Sequence, residues 1–134
     1  MTLYLDASAM FKRYVAEVGS ALVEATLMSD SVWVAANHSY VEVSIALGRR
    51  LGGAALTNGS TRFERDWEAM RVVTLDDTLC RRAADLGVQH GVRTLDALHL
   101  AAAERAGGAE LTFVTFDSRL ADAARAMGIP VAGT

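Results

Sequence analysis

The chain has 134 residues, of which 51% are hydrophobic and 22% charged, with one proline, eleven glycines and a formal charge of -3; this fits one globular domain over residues 1–134 and excludes a disordered chain. The negative charge excludes a protein that coats duplex nucleic acid by bulk electrostatics, although a local patch of arginines around the single lysine, Lys12, can still grip phosphates. With Cys80 alone there is no internal disulfide, no apolar run approaches the roughly 20 residues of a membrane span, and Met1 to Phe11 lacks the basic start of a secretory signal, so a soluble, unprocessed cytoplasmic protein with Cys80 as a buried thiol is expected.

Thr2 to Leu5 is a short apolar run that reads as a strand, and Asp6-Ala7-Ser8 leads it into a helix. Ala9 to Ala16 and Ser20 to Met28 read as helical pieces broken at Gly19, with Lys12, Arg13 and Glu17 on solvated positions. A second strand is expected over Ser31 to Ala35, followed by a helix from Asn37 to Leu51 that is apolar nearly all round. Gly52, Gly53, Asn58 and Gly59 mark a loop before an amphipathic helix from Thr61 to Met70. Arg71 to Leu75 is a third strand, and Asp76-Asp77 opens a helix running toward His90 and Gly91, with Asp77 as its cap. The segment from Arg93 to Glu104 predicts a helix capped by Thr94. Leu111 to Phe116 is a fourth strand ending at Asp117, Ser118 to Met127 a helix, and Ile129 to Ala132 a last short strand. Strands alternating with helices predict an α/β fold, a three-layer α/β/α sandwich around a mainly parallel sheet.

Four carboxylates stand isolated in apolar surroundings: Asp6, Glu42, Asp96 and Asp117. Asp96 has a plain reading as a first-turn residue favoured by the helix dipole. Glu42 must reach water at an edge, pair with an arginine such as Arg49, or face a cation. Asp6 and Asp117 fall at carboxyl ends of strands, where α/β sheets bind ligands, and they meet if the first and fourth strands are neighbours. Carboxylates brought together repel, and a hard divalent cation relieves this; oxygen donors suit Mg²⁺ or Mn²⁺ and the hydrolysis of phosphodiesters. Zinc is disfavoured, since the chain has no paired cysteines and no helix-spaced histidine pair. His99 reads either as a satisfied core histidine or as a proton donor facing the same cleft, while His38 and His90, near helix ends, carry no argument.

The segments Leu5-Asp6-Ala7-Ser8-Ala9, Val41-Glu42-Val43, Thr94 to Ala103 and Val114 to Leu120 occur in the order seen in PIN domains, and the chain resembles the VapC-type toxins along essentially its whole length. The resemblance implies a PIN-like fold and a Mg²⁺- or Mn²⁺-dependent endoribonuclease, the toxin of a toxin-antitoxin pair, often homodimeric and inhibited by a cognate antitoxin. It maps the family's catalytic and metal-binding acidic residues onto Asp6, Glu42, Asp96 and Asp117, with Ser8 or Thr115 assisting through a hydroxyl. Some relatives carry a further acidic residue where this chain has Ser118, Arg119 and Leu120. Two other readings stay open: a receiver- or phosphatase-like phosphoryl-transfer domain, which would want a second acidic residue beside Asp6 and a late lysine, and a non-catalytic interaction module on the same fold.

Overall fold

The computed structural model of the protein describes residues 2–29 and 32–134. Strands β1 (Thr2–Leu5), β2 (Val32–Ala36), β3 (Arg71–Val73), β4 (Leu111–Val114) and β5 (Val131–Ala132) form one parallel sheet in the order β3-β2-β1-β4-β5. Strand order reverses between β1 and β4, whose register sets Leu5 beside Val114. In parallel sheets of this kind the crevice above that reversal is where ligands bind.

Side chains alternate across each strand, so Leu3 and Leu5 enter one core and Tyr4 the other. The first face is covered by α1 (Ala7–Tyr14), α2 (Ser20–Met28), α3 (His38–Arg50) and α4 (Gly53–Ala69), through Met10, Val23, Leu27, Val43, Leu47 and Phe63. The second is covered by α5 (Asp77–His90), α6 (Thr94–Ala106) and α7 (Ser118–Ala126). Helix α6 is buried along most of its length, and its run Ala101-Ala102-Ala103 lets it lie close to the sheet. The three expected layers are present, with every strand pairing parallel.

Several local expectations are corrected. The loop read at residues 52–59 is the first half of α4. A glycine inside a helix costs about 1 kcal/mol relative to alanine, but Leu56, Phe63 and Trp67 fall on one side of the helix and pack into the first core. At Gly59 a Cβ would stand 3.2 Å from Leu51 Cδ1, so the glycine gives that side chain room. Strands β2, β3, β4 and β5 are offset or shorter than expected, and Ser31 lies outside the described residues. Cys80 is exposed, not buried, because Leu79, Ala83 and Leu86 take the inner face of α5. Lys12 and Arg13 are not solvated either: their side chains are only 14% and 16% exposed, Lys12 against Glu17 and Arg13 against Asp66. Tyr14 donates to the same Asp66 oxygen at 2.6 Å, which ties α1 to α4.

Asp76, not Asp77, caps α5, accepting from Leu79 N at 2.9 Å. It also receives two bonds from the Arg105 guanidinium, at 2.8 and 2.9 Å. Gly91 ends the helix at φ 65°, a left-handed conformation that glycine adopts without strain. Thr94 does not cap α6; that position falls to Arg93, which makes no side-chain cap bond.

The Arg105 pairing, with the bond from Leu79 N, holds the Asp76 carboxyl below its usual range. A lowered folded pKa means stability that is present above the unfolded value, about 3.9, and lost as pH falls through the folded value. Asp76→Asn keeps a capping side chain and removes the charge. Urea midpoints are expected to favour the wild type at neutral pH and to converge with the variant's in acid; a gap that stays constant with pH would refute this role for the charge.

Candidate active site

Asp6 follows β1 directly and caps α1, accepting from Ala9 N at 2.9 Å. Its Oδ1 also accepts from Ser8 Oγ at 2.7 Å and its Oδ2 from Thr115 Oγ1 at 2.5 Å. The carboxylate is 3% exposed and held from three sides. Thr115, fully buried just beyond β4, in turn accepts from Asp117 N at 3.1 Å. One hydroxyl therefore links the two strand ends and their two aspartates. Thr115 is itself held from behind, its N–H bonded to Ala132 O at 3.1 Å. At Gly133, with φ 106°, a Cβ would come within 2.2 Å of Thr115 O, so only glycine allows this approach. Asp117 caps α7 with Oδ1, which accepts from Arg119 N and Leu120 N, and its side chain is exposed.

Asp96 lies in the first turn of α6 and shares with Asp117 a cavity of about 350 Å³ that Arg93 and Arg119 also line. The plain reading of Asp96 makes its charge favourable there. Instead, burial and then the charge of Asp117 raise its pKa, with smaller contributions in the same direction from Asp6 and Glu42 and an opposing one from His99. Asp96 thus feels the charge of each of the other three carboxylates identified in the sequence. Asp6 and Asp117 are the ones that serve as helix caps.

Glu42 projects from α3 and its carboxylate turns to histidines. His99 Nε2 stands 3.0 Å from Glu42 Oε1, and the other ring nitrogen is 2.7 Å from the Tyr4 hydroxyl. Burial, then the Asp6 charge, keeps Tyr4 well above the ordinary phenol range and therefore protonated. Because a carboxylate only accepts, His99 donates to Glu42 through Nε2 and accepts from Tyr4 at Nδ1. Against the opposing effect of burial, the His99 bond and charge, with His38 adding, hold Glu42 below its usual range. His38 Nε2 is 3.3 Å from the same oxygen, and the two imidazoles lie 4.3 Å apart between ring centres. Burial and the neighbouring His99 lower His38 to about 4. Among the described residues Arg49 is not the partner of Glu42, whose side chain, 25% exposed, also reaches solvent. His38, which carried no argument in the sequence, gathers with Glu42 and His99 into a grouping that could hold a metal, its two histidines coming from different helices.

Glu42 and Asp117 also line an open cavity of about 550 Å³ with Ser8, Lys12, Glu17 and Phe116. Lys12 Nζ lies 4.8 Å from the Phe116 ring centre and 2.9 Å from Glu17, which also pairs with Arg50 at 3.3 Å. As a donor set, three aspartates and a glutamate suit a hard divalent cation, and each carboxylate keeps an oxygen with acceptor capacity beyond the bonds described.

The PIN domain profile matches residues 3–126. Ribonuclease VapC45 of Mycobacterium tuberculosis is 36% identical over 135 residues, covering 97% of this chain and 94% of its own, and Ribonuclease VapC46 of the same species is 32% identical over 129 residues, covering 96% and 95%. Among solved structures, Mycobacterium tuberculosis VapC20, described as a sarcin-ricin loop cleaving toxin, superposes with a TM-score of 0.74 at 21% identity, over 90% of this chain and 94% of its own. FitAcB from Neisseria gonorrhoeae gives 0.75 at 19% identity, over 96% and 95%. Identity of 36% and 32% to VapC proteins over nearly the full length and a matching domain profile place this chain in the PIN-domain family, among the relatives of VapC.

Proposed function

We propose that the chain is a Mg²⁺- or Mn²⁺-dependent endoribonuclease, the toxin of a toxin-antitoxin pair, with Asp6, Glu42, Asp96 and Asp117 as its catalytic and metal-binding residues. The observation that carries this reading is the Thr115 hydroxyl that joins Asp6 and Asp117 at the ends of β1 and β4, with Asp117 sharing one cavity with Asp96 and another with Glu42. Relatives named as ribonucleases over nearly their full length supply the substrate class. A bound divalent cation would lower the pKa of a water and neutralise charge on the scissile phosphate. Ser8 and Thr115 fix the rotamer of Asp6, so its oxygens need no reorganisation when charge develops. Burial and the neighbouring carboxylates, Asp117 first, raise the pKa of Asp96, and an entering cation would oppose that shift. The receiver-like alternative is set aside by family membership; the non-catalytic module is an outcome of the tests below.

The antitoxin reading draws on the 550 Å³ cavity, where Lys12 and Glu17 offer both signs of charge to an entering peptide segment. Among the fold's neighbours is a toxin-antitoxin complex from Klebsiella pneumoniae. Val41 and Ile45, one turn apart on α3, and Leu95 on α6 are exposed and give apolar area for the antitoxin or for the second copy of a homodimer. No described helix is long and apolar enough to cross a membrane.

Purified protein is expected to cleave RNA with Mg²⁺ or Mn²⁺ and to stop in EDTA. Undiminished cleavage after exhaustive chelation would remove the metal from the mechanism, and intact protein that cleaves no RNA under any metal condition would favour the interaction module. Asp96→Asn removes one charge from a repelling group while keeping its shape. Close carboxylate pairs repel by about 1 to 4 kcal/mol before screening and proton uptake, so the variant should melt at or above the wild-type temperature in EDTA. It should also lose cleavage and most of the stabilisation that Mn²⁺ gives. A variant less stable in EDTA that retained metal-dependent cleavage would return Asp96 to the fold alone.

A further inference from the structure

His38 is the first residue of α3 and Glu42 lies one turn further along it, so their side chains leave the helix on one face. Helix α6 brings His99 against them. One ligand atom from each of the three residues lies within 4.8 Å of the other two, and the nitrogens of His99 and His38 stand 3.0 and 3.3 Å from Glu42 Oε1. Donors around a tetrahedral ion with bonds of about 2.0 to 2.1 Å are about 3.3 Å apart. Hydrogen bonding explains the His99 side of this group but not the His38 side. Both His38 ring nitrogens are buried without a hydrogen bond of acceptable geometry, the Leu95 backbone being the other polar neighbour.

We propose that His38, Glu42 and His99 form a second metal site, for a borderline ion of the Zn²⁺ class, which competes with the carboxylate cleft for Glu42. Two imidazoles and one carboxylate are a donor set of zinc sites that keep a fourth position open. Glu42 also lines the 550 Å³ cavity, which gives solvent a route to the group along its carboxylate. Nitrogen donors favour Zn²⁺ and Co²⁺ over Mg²⁺. On binding, His99 ligates through Nε2 and moves its proton to Nδ1, where the Tyr4 hydroxyl can accept it as readily as it now donates; Tyr4 then orients the ligand from behind. An occupied site holds Glu42 on the histidine side, away from Asp6, Asp96 and Asp117. The antagonism toward a hard cation rests on the proposed nuclease reading, whereas the site itself does not.

Metal-free protein is titrated with Co²⁺ and followed by visible absorption. One equivalent is expected to produce the intense bands of tetrahedral cobalt, and Zn²⁺ to abolish them. His38→Ala and His38→Gln should lose the bands, Asp96→Asn should keep them, and Tyr4→Phe should weaken binding by about tenfold. Ring-nitrogen NMR on the wild-type chain reads the same event without a variant, through Zn²⁺-induced shifts at His38 and His99. Absence of tetrahedral bands, bands undiminished in folded His38 variants, or Zn²⁺ shifts that spare both histidines would overturn the site. The spectra decide this whether or not RNA is cleaved. Where Mn²⁺ supports cleavage, Zn²⁺ should suppress it in the wild type, and suppression equally strong in His38→Gln would overturn the competition.

Discussion

The parallel pairing of β1 with β4 is the constraint on which the rest of the molecule depends. It joins the strand from the start of the described chain to one more than a hundred residues later, with Leu5 beside Val114. From that register follow the bond from Asp6 N to Val114 O and the position of Thr115 between Asp6 and Asp117. Because the sheet reverses its order at this pair, no crossover connection fills the space above it. Helices α1, α6 and α7 begin around that opening, with Asp6 and Asp117 as caps and Asp96 in a first turn, while Glu42 comes from the second turn of α3.

Four carboxylates in one region repel, and the fold manages each of them differently. Asp6 is compensated by a backbone amide and two hydroxyls, and Asp117 by two backbone amides. Glu42 is compensated by His99. Asp96 is the residue on which the repulsion is left to act, since burial and its neighbours raise its pKa. The cap bonds that make two of these aspartates look structural do not compete with a chemical role. They fix the side chains' directions, and so preorganise the cleft for whatever positive charge enters it.

The parts of this arrangement that the sequence carried were those governed by local chemistry. Asp6 and Asp117 each follow a short apolar run at once, which marks a strand end, and the alternation of strands and helices was enough for the three-layer architecture. Glycine and asparagine misled the reading of residues 52–59, because a tertiary stripe through Leu56, Phe63 and Trp67 overrides weak local propensity. The cap of α5 was misplaced by one residue, since either aspartate can serve and Arg105, far along the chain, favours Asp76. Local spacing offered His38, one turn before Glu42 on the same helix, but not His99. His99 is 57 residues away from it, and His38 gains a meaning only when α6 lies across α3.

Thr115 reaches forward to Asp6 and is held from behind by Ala132 O and by the close approach of Gly133. The two ends of the described chain are therefore stitched together at the cleft, through contacts of the long sequence separation that slows folding. During synthesis a nascent chain that has not yet exposed residues 111–133 carries Asp6 on a strand with no β4 beside it and no hydroxyl on its outer oxygen. The cleft is thus assembled after translation of most of the chain, and N-terminal fragments released early hold the first carboxylate but no site.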